Sequence, residues 1–265
     1  MSAMTEVAAE AAIGVACRAL HLPTIRREAV GVADAAARER LTHRVFLAEV
    51  LSMEVDERHE RRRERRIAEA RFPRMKRLAD FDLAAAPSVS PAAIAALAAG
   101  TFIDAGTPVV LLGDSGTGKS HLLIGLGIAA CEAGRRVRYV TCAALVNELA
   151  EAADERMLSR VVGRYGRFDL LCLDELAYVH LDPRGAEHLF QILTEREEKA
   201  SVAVASNAPF SEWGQTFTDP RLAAAVVDRI TFKAHIIETG TESYRLRASR
   251  TKPRPPAKAP TGKEG

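Results

Sequence analysis

The chain lacks the features that would place it in a membrane or an oxidising compartment. In its 265 residues, no apolar run approaches the roughly 20 residues that a membrane-spanning helix needs. Its Ala-rich start carries Glu6 and Glu10 where a secretory signal would be basic, so a cytoplasmic protein is expected. Its four cysteines, Cys17, Cys131, Cys142 and Cys172, are scattered and form no C-x-x-C pair. Buried thiols in reducing surroundings are expected, rather than a disulfide framework or a zinc site. His121, His180, His188 and His235 show no metal-ligand spacing and read as packing or surface residues. With 48% apolar and 27% charged residues, what remains is an ordinary globular composition, long enough for one sizeable domain and a smaller one.

The net charge of +2 conceals segregation. Between Arg58 and Arg77, ten Arg or Lys stand against three Glu, and from Arg245 onward seven stand against Glu264 alone. This suggests basic surfaces at both ends of a near-neutral enzyme core. In the densest run, Arg58, Arg61, Arg62, Arg63, Arg65 and Arg66 have only Glu60 and Glu64 nearby, so internal pairing cannot neutralise them. A solvated helix face and contact with nucleic-acid phosphates are both open, and the charge excess favours phosphate contact.

The most specific stretch is Gly113-Asp114-Ser115-Gly116-Thr117-Gly118-Lys119-Ser120, which fits G-x-x-x-x-G-K-[ST]. The apolar run 108–112 reads as a strand feeding into it, and an apolar helical pattern follows through Leu122, Leu123 and Leu126. Strand, glycine loop and helix place backbone N–H groups and a helix N-terminus around a polyphosphate. Lys119 is expected to reach the β- and γ-phosphates of a nucleoside triphosphate, and the Ser120 hydroxyl to ligate Mg²⁺. Asp114 is a carboxylate on a phosphate loop, and must face outward if it is not to repel the ligand.

A second apolar run, 168–173, delivers Asp174 and Glu175 at its end. Asp174 is expected to hold the Mg²⁺ shell, and Glu175 to polarise water for attack on the γ-phosphate. Asn207, after the apolar run 201–205, is either a turn residue or a sensor beside that water. Arg229 is either a solvated or Asp-paired helix residue or an arginine finger acting on another copy's nucleotide. Trp213 could stack on a base, but packing against the core is the stronger reading.

Strands are expected near 108–112, 137–141, 169–173, 201–205 and 235–237, alternating with helices near 119–133, 143–164 (broken at Ala153-Asp154), 184–199 and 220–231. The fold class is therefore α/β, a parallel five-stranded sheet covered on both faces. Ahead of it come helices over 11–22, from an N-cap at Thr24 to about Arg40, and from a cap at Thr42, forming a small helical domain over 1–72. DNA binding and plain docking are both open for that domain. A linker over 73–90, an ATPase domain over 91–248 that opens on a helix at 91–99, and a disordered basic tail over 249–265 complete the expected order.

From about Leu22 to Arg247 the chain resembles the IstB-type helper ATPases of insertion sequences, AAA+ P-loop proteins close to the DnaC helicase loaders and DnaA initiators. The resemblance rests on Leu22-Pro23-Thr24-Ile25-Arg26, Ala70-Arg71-Phe72-Pro73, 116–122, 169–176, 206–213 and 242–246. It implies an ATPase that assembles as a ring or filament on duplex DNA and serves a partner transposase, with a DnaC-like replicative helicase loader as the alternative. It also implies roles: Asn207 as sensor 1, Arg229 as the trans-acting finger and Arg245 as sensor 2. His121 extends the nucleotide-binding loop, and the helices at 143–164 match the clade's helical insertion.

Overall fold

The computed structural model describes residues 5–178, 180–217, 219–241, 243 and 244. Its contacts divide the chain into two units, Met1–Arg65 and Arg66–Gly265.

The first unit holds α1 (Glu6–Ala19), α2 (Pro23–Arg38) and most of α3 (His43–Ala70). α2 begins earlier than expected. Pro23 takes the first helical position, where its fixed φ suits and its missing N–H costs nothing, so Leu22 rather than Thr24 sits at the cap. The cap acceptor comes from elsewhere: Glu54, 3% exposed, accepts the N–H of Thr24 (2.8 Å) and of Ile25 (3.1 Å). Thr42 does cap α3, accepting from Val45 N at 3.4 Å. α3 is 28 residues long. Its arginines and glutamates are good helix formers, and no Gly or Pro interrupts it before Pro73.

The second unit is a parallel sheet of β1 (Val109–Leu112), β2 (Val137–Thr141), β3 (Leu170–Asp174), β4 (Ser201–Ser206) and β5 (His235–Glu238), in the order β2-β3-β4-β1-β5. Short helices α4 (Pro91–Ala98) and α5 (Thr101–Asp104) precede it. The crossovers carry α6 (Lys119–Glu132), α7 (Cys142–Asp154), α8 (Leu158–Gly166), α9 (Pro183–Arg196), α10 (Trp213–Thr216) and α11 (Pro220–Thr231).

Strand residues alternate between two cores, as a period of two requires. Val109, Leu111, Tyr139 and Cys172 meet α6 on one face; Val110, Leu112, Val140 and Leu173 meet residues of α7, α9 and α11 on the other. Trp213 is fully buried in the second core, with Nε1 donating to Ser206 Oγ (3.2 Å) and the Ala208 carbonyl (3.1 Å).

Residues 73–90, expected as a linker, are packed. Ala70, Ala86 and Val89 are buried in the first core, with Ile67, Phe72, Leu78 and Phe81 against it. The strap lies on α6, where glycines make room: a Cβ on Gly125 would meet Leu78 Cδ2 at 2.7 Å, and one on Gly127 would meet Phe72 Cε1 at 2.7 Å. The end of α3 and this strap complete the cover of a sheet face that α6 alone would leave partly wet. Arg196, 1% exposed, donates to the carbonyls of Tyr165 (2.6 Å) and Ser201 (2.7 Å), and burial pulls its pKa down to about 10.

Candidate nucleotide site at the carboxyl edge of the sheet

β1 runs into the glycine loop, β3 ends in Asp174 and β4 leads to Asn207. Because β4 lies between β1 and β3, all three converge at one edge, where ligands of open parallel sheets bind. A cavity of about 660 Å³ opens there, lined by Ser115 to His121, Asp174, Glu175 and Asn207.

The loop is locked from two sides. Gly118 has φ 100°, and a Cβ there would also meet Phe81 Cε2 of the strap at 2.7 Å; only glycine satisfies both demands. On the other side the segment after β5 grips the loop: Asp114 N donates to the Gly240 carbonyl and Tyr244 N to the Gly116 carbonyl, both at 3.0 Å. The hydroxyls of Thr117 and Thr239 share a buried hydrogen bond of 2.5 Å. Lys119, 8% exposed, opens α6 and donates from Nζ to the carbonyls of Gly113 (2.6 Å) and Asp114 (2.7 Å). Asp114 is exposed, as a carboxylate in this loop must be.

The acids also have defined settings. Asp174, 4% exposed, accepts the Tyr139 hydroxyl at Oδ2 (2.7 Å) and the Glu175 N–H at Oδ1 (2.9 Å). Glu175 sits at φ 60°, and its side chain is exposed at the cavity. Asn207 Oδ1 is buried without a hydrogen-bond partner, a costly arrangement in a closed protein and a natural one for a group awaiting a ligand or water.

A family model described as IstB-like ATP binding protein matches residues 15–252. The chain belongs to this family. It is 39% identical over 257 residues to an insertion sequence ATP-binding protein of Sinorhizobium fredii, covering 95% of this chain and 86% of that one. It is 36% identical over 217 residues to the IS21 ATP-binding protein of Pseudomonas aeruginosa, covering 82% of each. Among solved structures, DnaI superposes with a TM-score of 0.50 at 22% identity, over 62% of this chain and 90% of that one. The likeness shows the fold, that of an AAA+ P-loop domain.

Within this IstB-like chain, one expected residue lies apart from the cavity. Arg229 is at the opposite, amino edge of the sheet, beside a cavity of about 140 Å³ lined by Thr107, Pro108, Arg196 and Lys233. His121 lines the nucleotide cavity but is built into the strap: Nε2 donates to the Arg77 carbonyl (2.9 Å) and the ring meets Phe81 edge-on. Among the described residues no group of His, Cys, Asp and Glu has metal-holding geometry, and no helix is long and apolar enough to cross a membrane. Arg245 and the tail over 249–265 lie outside the described residues.

The basic run is divided in its engagements. Arg58 donates to the His21 carbonyl (2.9 Å) and pairs with Glu54 (3.4 Å); Arg61 donates to Thr24 Oγ1 (3.1 Å) and pairs with Glu54 (3.5 Å). Arg63 pairs with Glu60 at 2.8 Å. The side chains of Arg62 and Arg66 make no hydrogen bond or ion pair among the described residues, while the Arg66 carbonyl accepts from Cys131 Sγ at 3.7 Å.

Several site residues were not visible in the sequence: Tyr139, the Thr117–Thr239 pair, and Phe81 with Arg74 and Lys76, which line the cavity from the strap. The period of β2 could have put Tyr139 on the α6 face. Thr117 lay in the loop and Arg74 and Lys76 in the basic block, but nothing local marked Thr239 or Phe81.

Proposed function

We propose that the chain is an ATPase of insertion-sequence transposition, which binds ATP and Mg²⁺ at the carboxyl edge of the sheet and hydrolyses ATP only when assembled on DNA. One observation carries this reading: the phosphate loop, Asp174, Glu175 and the unsatisfied Asn207 Oδ1 border one cavity. The names of the relatives as insertion sequence ATP-binding proteins support it.

Lys119 would exchange the loop carbonyls for phosphate oxygens, while the N-terminus of α6 and the loop N–H groups cradle the rest. The residues fit Mg²⁺, since Ser120 and Asp174 supply the hard oxygen donors that cation takes. Once bound, Mg²⁺ would neutralise charge on the β- and γ-phosphates. Glu175 would polarise the attacking water, and Asn207 would hold it in register with the γ-phosphate. Arg229, remote from its own chain's cavity, would act on that of a neighbouring copy. Of the basic run, Arg62 is better placed for phosphate contact than Arg58 and Arg61, which are tied to Glu54. The bound duplex would then be presented to a transposase.

The test is the ATPase rate per chain against protein concentration, with and without duplex DNA. The rate should rise with both. A rate independent of both would sink the assembly requirement, and preference for single strands over duplex would favour helicase loading.

A further inference from the structure

Tyr139 plays no part in the chemistry described so far, yet its hydroxyl makes one of the best-formed buried contacts of the site. In the β2–β3 register Tyr139 pairs with Cys172, and Asp174 lies two residues further along β3 on the same face. That diagonal is within reach of a long aromatic side chain. The ring is 9% exposed and lies 6.1 Å from the Phe72 ring of the strap, so its direction is set by packing. Its hydroxyl donates to Asp174 Oδ2 at 2.7 Å, while the Glu175 N–H holds Oδ1 at 2.9 Å.

We infer that Tyr139 is a positioning residue for the magnesium-binding carboxylate, one that fixes the orientation of Asp174 before the cation arrives. The inference rests on the proposed nucleotide site. A carboxylate carries about four acceptor positions. Two donors, one on each oxygen, remove its rotational freedom and leave an acceptor position on each oxygen for the cation or its water. Phenylalanine would pack equally well here and do none of this.

The test is Tyr139→Phe, which removes the hydroxyl and keeps the ring. ATP binding is followed with a fluorescent ATP analogue, first in EDTA and then against rising Mg²⁺, and folding by thermal denaturation. Binding in EDTA should match wild type, while half-saturating Mg²⁺ rises by about 10-fold, the low end for loss of an outer-shell partner. On an Asp174→Asn background the same substitution should shift nothing further, because the hydroxyl acts through that carboxylate.

An unchanged half-saturation, or an additional shift on the Asp174→Asn background, overturns the inference. So does a Tyr139→Phe chain that fails to fold, for the hydroxyl would then hold the fold instead. Phe72→Leu loosens the same ring without touching the hydroxyl, and an equal magnesium shift there would overturn it too. Wild-type protein that binds no nucleotide at any Mg²⁺ concentration would instead remove the proposed function itself.

Discussion

Arg229 Nε lies 2.9 Å from Glu197 Oε2, which holds a guanidinium 24% exposed to solvent at the amino edge of the sheet. The Phe190 ring supports it from below, 4.2 Å from Cζ to the centroid. A partly exposed ion pair of this kind contributes about 1 kcal/mol or less, so a phosphate could displace Glu197 without great cost.

Arg229→Ala is therefore expected to leave nucleotide affinity of the isolated chain within about two-fold of wild type and to lower turnover of the assembled protein by about 10³-fold, the lower range for loss of an arginine finger. Mixing Arg229→Ala with Glu175→Gln chains should restore part of the turnover, since each supplies what the other lacks. Equilibrium binding and steady-state hydrolysis check both, and absence of any rescue would reject action in trans.

Lys119→Ala and Glu175→Gln should separate binding from chemistry. The first removes the cation whose Nζ sits on the loop carbonyls, and ATP affinity should fall by at least about 10-fold, the loss of one charge-assisted contact of about 1.5–3 kcal/mol. The second keeps shape and cavity, so ATP should still bind while hydrolysis drops by about 10²-fold or more, as for loss of a general base. Retained hydrolysis in Glu175→Gln would assign the water to another group.

Glu54→Ala should destabilise the N-terminal unit by about 3 kcal/mol, because it leaves two N–H groups of α2 uncapped and two arginines without their buried partner. Burial alone would raise the Glu54 pKa, but the N–H groups of Ile25 and Thr24 and the Arg58 guanidinium outweigh it and hold it below the usual value. A carboxylate with a lowered folded pKa contributes fully above its unfolded pKa, about 4.3. That contribution disappears as pH falls through the folded value, so wild type should lose stability below about pH 4 and Glu54→Gln should lose less there. Parallel acid melts of the two proteins are the measurement.

Gly127→Ala tests whether the strap is a fixed wall. Alanine is the better helix former by about 1 kcal/mol, yet its Cβ would meet Phe72 at 2.7 Å and Cys172 Sγ at 3.2 Å. Overpacking in the range of about 1–3 kcal/mol should prevail, so chemical denaturation should show a net loss. A gain in stability would show that Phe72 moves aside freely.

Much of the core was legible because its signals are local. The glycine loop announces itself through spacing, and the pair Asp174-Glu175 through an apolar run that ends abruptly in charge. Each of the five expected strands overlaps an observed one, and the break expected at Ala153-Asp154 falls at the end of α7. The strap was misread for the opposite reason. Residues 73–90 show no helical or strand period and are rich in Pro, Ala and Ser, so they resemble a linker. Phe72, Leu78, Phe81 and Val89 are anchors whose sockets, Gly125 and Gly127 among them, lie about 50 residues away on α6.

By itself the sequence determined the elements and the chemical kinds of the groups at the candidate site, since backbone propensity, apolar period and loop spacing act over a few residues. Only the tertiary structure decided which groups meet. Inserting β4 between β1 and β3 brings Asn207 to the phosphate loop, the register of β2 on β3 sets Tyr139 against Asp174, and Glu54 caps a helix 30 residues earlier in the chain. Contacts of that range depend on how the strands order themselves and what remains to cover the sheet, a competition for buried area that no single stretch of residues records.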